Sequence, residues 1–416
     1  MNKIYSIMFG IIAMAISLAM PSDVLAATCF RAGPYLQELG PKGVTVVFEN
    51  TLPTFAWVEL RRKGMTAFKK YYQEVEGQHQ IYNNIAAPTT ALPLQNFVIR
   101  LDGLTENTDY EYRICSQHIL EMQSYSIKIG DQYDSDWYAF RTPDSKATEH
   151  HIAVLSDTHN RPSVFAGLLL ATDFKTADHI ILAGDIMDNM QVGSVSGTAL
   201  KPEEPYTSFV NTCVQNFATG KDFCMLRGDH ETKGDAADFF DVYFPHQSGR
   251  LYNAYRWGDL EVVLLDGGEA EADSDPTARS SNNLGMYRPY REEEARWFEQ
   301  LMQTDEFRSA KYRIVFSHLP IPYGNDDPST GSGQADNENA GTRHFSQLML
   351  PLLNKADIDL VVCGHLHPDT YTMIPAGTQG NSFPCLIQGY NSALRIDIEG
   401  GELKLKVVDE NGTELQ

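Results

Sequence analysis

The sequence predicts an all-β sandwich followed by an α/β layered domain. Three observations carry this. Short β-branched and aromatic runs between turn residues fill the N-terminal part, where helical propensity is weak. After residue 150, buried-type apolar strands alternate with helical segments. Between the two patterns lies a polar, proline-containing linker, Arg141-Thr-Pro-Asp-Ser-Lys-Ala-Thr-Glu-His150.

In chain order, residues 1–26 read as an export signal: Lys3 gives a positive start, 4–20 are apolar, and Val24-Leu25-Ala26 offers small residues before a cut. A membrane anchor is the alternative, since the run is about as long as the shortest spanning helices, but the small-residue site favours cleavage. No later stretch is apolar and long enough to cross a bilayer. A periplasmic or secreted protein without a transmembrane anchor is expected. Residues 27–416 are too many for one core, so two domains are the natural division.

Residues 27–142 form the sandwich, with strands at 43–48, 56–60 and 96–101. The segment Leu104-Thr-Glu-Asn-Thr-Asp-Tyr110-Glu-Tyr112-Arg-Ile114 resembles the tyrosine corner of immunoglobulin and fibronectin type III sandwiches. The linker occupies 143–150 and the second domain 151–416. Its strands are predicted at 152–155, 180–183, 223–226, 260–265, 312–316 and 358–363, with helices at 163–170, 206–217, 291–302 and 345–354. After His367 the chain returns to strands at 385–388, 393–398 and 403–408, which implies some antiparallel pairing. Two segments rich in turn formers, 267–285 and 324–341, follow strands and are read as rim loops of a site, with surface insertion the alternative.

The formal charge of −22 is spread along the chain. No basic stripe offers phosphate contacts, which argues against a nucleic-acid or anionic-membrane binder. An anionic substrate must therefore be attracted locally. Six cysteines in an exported chain favour disulfides. Proximity in sequence suggests Cys213–Cys224 and Cys363–Cys385, leaving Cys29–Cys115, with a free buried thiol as the alternative for Cys363. None has the spacing of a metal knuckle.

Chemistry concentrates in five segments: Asp157-Thr158-His159, Gly184-Asp185-Ile186-Met187-Asp188, Gly228-Asp229-His230-Glu231, Ser317-His318 and Gly364-His365-Leu366-His367. Each ends an apolar run, and ligands of open α/β sheets gather outside the carboxyl ends of the strands. Asp157 and His159 are two apart, so extended backbone points both the same way. Asp185 has two oxygens for two cations, and His365 and His367 can each serve a different ion. Carboxylate and imidazole donors suit Mn, Zn or Fe. One such segment is ordinary surface loop; five in order describe a two-metal site of the kind that hydrolyses phosphate esters. Asn160, Arg343 and His344 are weaker candidates for substrate contact, with turn capping or solvated loop charge as the alternatives. Tyr287 and Tyr290 fit a pocket wall or the core equally.

On these motifs the chain resembles the calcineurin-like metallophosphoesterase superfamily. The opening Gly33-Pro34-Tyr35-Leu36-Gln37 makes it similar to the purple-acid-phosphatase-like branch, with its N-terminal fibronectin III-like domain. The resemblance implies a four-layer α/β/β/α metallophosphoesterase domain and two divalent or mixed-valence transition-metal ions. Asp157, His159, Asp185 and His367 would hold the first ion, and Asp185, Asp229, His318 and His365 the second. His230 would be the general acid or polarise phosphate, oriented by Asp188.

Two departures stand out. Purple enzymes carry tyrosine where Asp188 stands and glycine where His159 stands, so a purple iron centre is not expected. The family has asparagine at Asp229; the added charge predicts tighter metal binding and slower phosphoryl chemistry than an asparagine version. The expected function is hydrolysis of small-molecule phosphate esters by metal-bound hydroxide, monoesters slightly favoured. A phosphodiesterase or nucleotide pyrophosphatase is the enzymatic alternative, and a binding module with a structural metal site the non-catalytic one.

Overall fold

The computed structural model describes residues 29–75, 77–79, 81–82, 96–191, 206–234, 236–273, 284–324 and 339–415. The expected leader, 1–26, and the middles of the two turn-rich segments, 274–283 and 325–338, lie outside the described residues.

The N-terminal part is all β. Strands Phe30–Gly40, Gly43–Asn50 and Asn96–Asp102 form one antiparallel sheet. Ser126–Asp134, Asp109–Gln123, Thr54–Arg62 and Lys69–Tyr72 form the spine of a second. A core of Val46, Phe48, Val58, Ile99, Tyr112 and Ile114 among others fills the space between them. Tyr110 makes the expected corner: its hydroxyl accepts the Thr105 N–H at 2.9 Å, returning to backbone just upstream.

The remainder is layered, because each sheet has two apolar faces to cover. Cys224–Met225, His179–Leu182, His150–Leu155, Ser392–Glu399 and Glu402–Asp409 pair in that order. A second sheet runs Asn253–Trp257, Leu260–Leu265, Tyr312–Ser317, Leu360–Cys363, Cys385–Gln388 and Tyr371–Ile374. Alternate residues explain the layers. Ile152, Val154, Ile181, Val262, Leu264 and Ile314 meet between the sheets. Ala153, Leu155, Ile180 and Leu182 face outward onto helices Pro162–Ala171 and Tyr206–Cys213. Val263, Leu265 and Val315 face helices Tyr287–Leu301 and Ala340–Leu353. The order is helix, sheet, sheet, helix, as the resemblance implied.

Parallel pairing aligns the strand ends that matter. Leu155 lies beside Leu182, and Leu182 beside Met225. On the second sheet Leu265, Ser317 and Cys363 form one row. Every metal-type segment begins within a few residues of these rows, so five segments distant in sequence emerge at one edge.

Other expectations are corrected. All six cysteines are free and buried. Cys213 packs in the outer helical layer and Cys224 between the sheets, so strand alternation parts them. Cys29 contacts Ser116, whereas Cys115, its neighbour on the opposite face, contacts Asp134. Only Cys363 and Cys385 touch, as hydrogen-bonded thiols on adjacent strands. The helix predicted at 206–217 ends as α-helix at Cys213 and continues as a π-helical turn, Val214–Ala218. Arg343 and His344 belong to helix Ala340–Leu353 rather than to a loop.

The sandwich is fastened to this layered body through its opening strand. Tyr35 Oη donates to the Tyr243 carbonyl at 2.6 Å, and Gln37 Nε2 to the Phe223 carbonyl at 3.1 Å. Asp222 Oδ2 accepts the Leu39 N–H at 2.9 Å. Burial pushes the Asp222 carboxyl up to about 7 despite the backbone N–H groups that favour its charge. An acid whose folded pKa is raised stays protonated while the unfolded chain ionises, so stability falls between about pH 4 and pH 7 and levels above. Asp222→Asn should therefore leave the melting temperature unchanged near pH 4 and raise it at pH 8, by on the order of 2 kcal/mol in stability. Thermal melts at the two pH values check this.

Candidate metal centre

The loops at the strand ends are knotted by backbone bonds before any side chain is considered. Asp157, His159 and Asn160 donate their N–H groups to the carbonyls of Gly184, Asp185 and Ile186 at 3.0, 3.0 and 2.9 Å. Glu231 ties the third segment in: its carboxylate accepts the N–H groups of Asp185, Met187 and Gly228 at 2.9, 2.9 and 2.7 Å. Sequence reasoning gave Glu231 no role, although an acid adjoining a ligand and fully buried has to be satisfied by donors of this kind.

The backbone is strained there. Asp157, His159, Asn160, Asp185, His365 and His367 all have positive φ, between 43° and 72°. For residues with a side chain this conformation costs roughly 1–2 kcal/mol each, and its concentration in these segments marks a site whose geometry outranks local comfort. Glycines make the room. A Cβ on Gly228 would lie 2.1 Å from Asp185 Oδ1, and one on Gly364 2.5 Å from Asp157 Oδ2.

Three groups of donor atoms result. Asp157, His159, Asp185 and His367 converge; so do Asp185, Asp229, His318 and His365, with Asp185 common to both. His159, Asp188 and His230 form a third group at the mouth. The floor is dry: Asp157, Asp185, Asp229 and His318 are buried. The rim is wet, with His230 and His367 partly open to solvent.

The contacts call for cations. His318 Nδ1 donates to the Ala183 carbonyl at 2.9 Å, which turns Nε2 toward the carboxylates. That nitrogen is buried and makes no hydrogen bond, yet lies 3.2 Å from Asp185 Oδ2 and 3.3 Å from Asp229 Oδ1. A buried imidazole nitrogen between two carboxylate oxygens needs positive charge there, a proton or a metal ion. His367 Nε2 is 3.0 Å from Asp157 Oδ1 and 3.0 Å from His159 Nε2, a second such convergence. Burial would raise the Asp229 carboxyl, but the imidazoles of His318 and His365 beside it hold it well below the usual range. Burial disfavours charge on His318, and the Asp185 carboxylate overrides it, holding its pKa well above the usual value. Both shifts express one demand for positive charge.

Second contacts orient the ligands. His365 turns Nδ1 to Asp229 Oδ1 at 2.9 Å and Nε2 to Asn339 Oδ1 at 3.3 Å. His230 turns Nδ1 to the carbonyl of Asp188 at 2.5 Å. Asp188 thus hydrogen-bonds His230 through its backbone, while its carboxylate, within the third donor group, accepts from Asn189 Nδ2 at 3.0 Å. Arg161, also missed in sequence, donates to the carbonyls of Asp157, Thr158 and Tyr390 and clamps the first segment in place. Asn160 and Arg161 line a cleft of about 250 Å³ beside this segment with Phe165 and Phe209. His344 lies 4.0 Å from Glu292 of the neighbouring helix and joins none of the three donor groups. Tyr290 donates to Asp266 at 2.6 Å, a packing role.

A family model described as calcineurin-like phosphoesterase matches residues 150–369. Among solved structures, the chain is similar to the purple acid phosphatase PPD1 from yellow lupin (Lupinus luteus) seeds. The match has a TM-score of 0.61 at 12% identity, covering 92% of this chain and 73% of that one. TT1561 of Thermus thermophilus aligns at 15% identity with a TM-score of 0.38, over 62% of this chain and 98% of its own. No curated protein sequence matches.

The crowding at Gly228 gives a direct test. Gly228→Ala should keep the fold, judged by circular dichroism, while lowering the metal bound per chain relative to wild type, because its methyl group displaces the Asp185 carboxylate. Metal analysis of the purified variant reads this.

Proposed function

The chain belongs to the calcineurin-like phosphoesterase family and is a metal-dependent phosphoric ester hydrolase, and from this premise we propose an exported, dinuclear enzyme that hydrolyses small phosphate esters, monoesters ahead of diesters. In this reading residues 27–142 are a fibronectin III-like sandwich, 143–150 a linker and 151–416 the catalytic domain. Among the described residues no helix is long and apolar enough to cross a membrane.

The observation that carries the proposal is the sharing of Asp185 between two four-residue donor groups. One ion would take Asp157, His159, Asp185 and His367; the other Asp185, Asp229, His318 and His365. Two bound transition-metal ions would supply a hydroxide nucleophile near neutral pH and neutralise charge on the phosphoryl oxygens. The protein's own groups do the rest. The buried floor excludes water from the carboxylates, and the wet histidine rim admits the ester.

His230 is the proton donor in this scheme. Its Nδ1–H is fixed on the Asp188 carbonyl, which leaves Nε2 facing the centre, 3.9 Å from Asp185 Oδ2. The protonated ring gives its Nε2 proton to the departing alkoxide oxygen and returns to the tautomer that the carbonyl already favours. Asn160 stands beside the first donor group, where its amide can meet a phosphoryl oxygen; Arg343 and His344, on a helix, serve more weakly as substrate contacts.

The test is hydrolysis of a chromogenic phosphate monoester and its diester counterpart, with metal content measured on the same protein. Wild type should turn over the monoester faster and carry two ions; Asp157→Ala should lose both properties. His230→Gln should keep its metal and lose roughly 10²- to 10⁴-fold in turnover. Two ions without turnover of either ester would contradict the proposal.

A further inference from the structure

At the position where similar phosphoesterases carry asparagine, an aspartate brings a second equivalent oxygen and a negative charge. The structure separates the two oxygens. Asp229 Oδ1 faces the donor group, 2.9 Å from His365 Nδ1 and 3.3 Å from His318 Nε2. Asp229 Oδ2 turns away and lies 2.5 Å from Lys233 Nζ.

Local structure makes this pairing. After Asp229 the chain takes one turn of 3₁₀-helix, His230–Thr232. Thr232 Oγ1 donates to the Asp229 carbonyl at 2.7 Å, and Lys233 N to the His230 carbonyl at 3.1 Å. The turn folds Lys233 back under Asp229, four residues on, as helical spacing allows. Neither partner is an ordinary surface charge: the side chains are 27% and 7% exposed, and Glu269 Oε1 lies 3.9 Å from the same ammonium. A pair this shielded is felt strongly when only one member is removed.

We propose that Lys233 is a positioning residue of the metal centre: it holds Asp229 Oδ2 and cancels its charge, so that Asp229 offers Oδ1 alone, as an asparagine carbonyl would, and the centre keeps its attraction for an anionic ester. Read from the sequence alone, the added charge of Asp229 predicted tighter metal binding and slower phosphoryl chemistry. The added ammonium removes that penalty. The inference rests on the two-metal reading but not on turnover.

The experiment is calorimetric titration of the full chain, first with Mn(II) and then with inorganic phosphate, in wild type, Lys233→Met and the double variant Asp229→Asn/Lys233→Met. Lys233→Met should bind phosphate about tenfold or more weakly without losing Mn(II), because one negative charge is left uncancelled. The double variant pairs two neutral groups and should return to within about threefold of wild type on phosphate. A purely structural lysine would not be rescued by changing its partner. Phosphate binding by Lys233→Met equal to wild type overturns the proposal, as does a double variant no better than the single one, or metal-loaded wild type that ignores phosphate. Should Lys233→Met fail to fold, the double variant decides alone: recovery supports the proposal, and a loss of about tenfold or more overturns it. Ester turnover is measured separately, so wild type that binds phosphate in this pattern but hydrolyses nothing would sink the hydrolase reading and leave the role of Lys233 intact.

Discussion

Three carboxylates held out of water around one buried imidazole nitrogen are the constraint to which the catalytic half is built. Asp157, Asp185 and Asp229 are each nearly inaccessible, and His318 Nε2 lies within 3.3 Å of two of them. Bringing like charges together in a dry setting is strongly unfavourable without cations to balance them. The molecule concentrates its compensating devices there: backbone N–H groups onto Asp157, Asp185 and the buried Glu231, an ammonium onto Asp229, and glycines that let the carboxylates approach backbone. Two bound ions would complete the balance, which links metal binding to the stability of these loops.

Architecture supplies the rigidity that this site requires. Each ligand sits one to four residues beyond a buried parallel strand, where the position of the last paired residue is set by the sheet. The positive φ angles follow from that placement, since the chain has to turn sharply out of a strand and still aim its side chain inward. Among the described residues the sandwich contributes nothing to the donor groups. Its opening strand instead meets the layered body through Tyr35, Gln37 and Leu39, which donate to Tyr243, Phe223 and Asp222.

Much of this was legible in the chain. Continuous apolar runs such as Leu260–Leu265 and Cys385–Gln388 have the observed limits as predicted, because a strand covered on both faces leaves a signature without ambiguity. The residues of the donor groups were legible because side-chain chemistry is local and their order was specific. What escaped were relations across the fold. Nothing near Asn339 signals that it meets His365, and Arg161 looks like a surface cation until Tyr390 is beside it. Asp188 was assigned to His230 for its carboxylate, while the turn presents its carbonyl. The Cys213–Cys224 pairing failed for a similar reason, since nearness in sequence says nothing about which layer a residue enters, whereas Cys363 and Cys385 do meet, as free thiols. Lys233 is the instructive case: four residues from Asp229, it could have been suspected from helical spacing, but the 3₁₀ turn that brings it round is a product of the knot at Glu231.

The measurement that bears most directly on the account is anomalous X-ray diffraction from crystals of the metal-reconstituted protein. The account predicts two metal peaks at the strand ends, both within bonding distance of the Asp185 carboxylate, one also bound by Asp157, His159 and His367 and the other by Asp229, His318 and His365. A single peak, or two peaks that do not share Asp185, would contradict it.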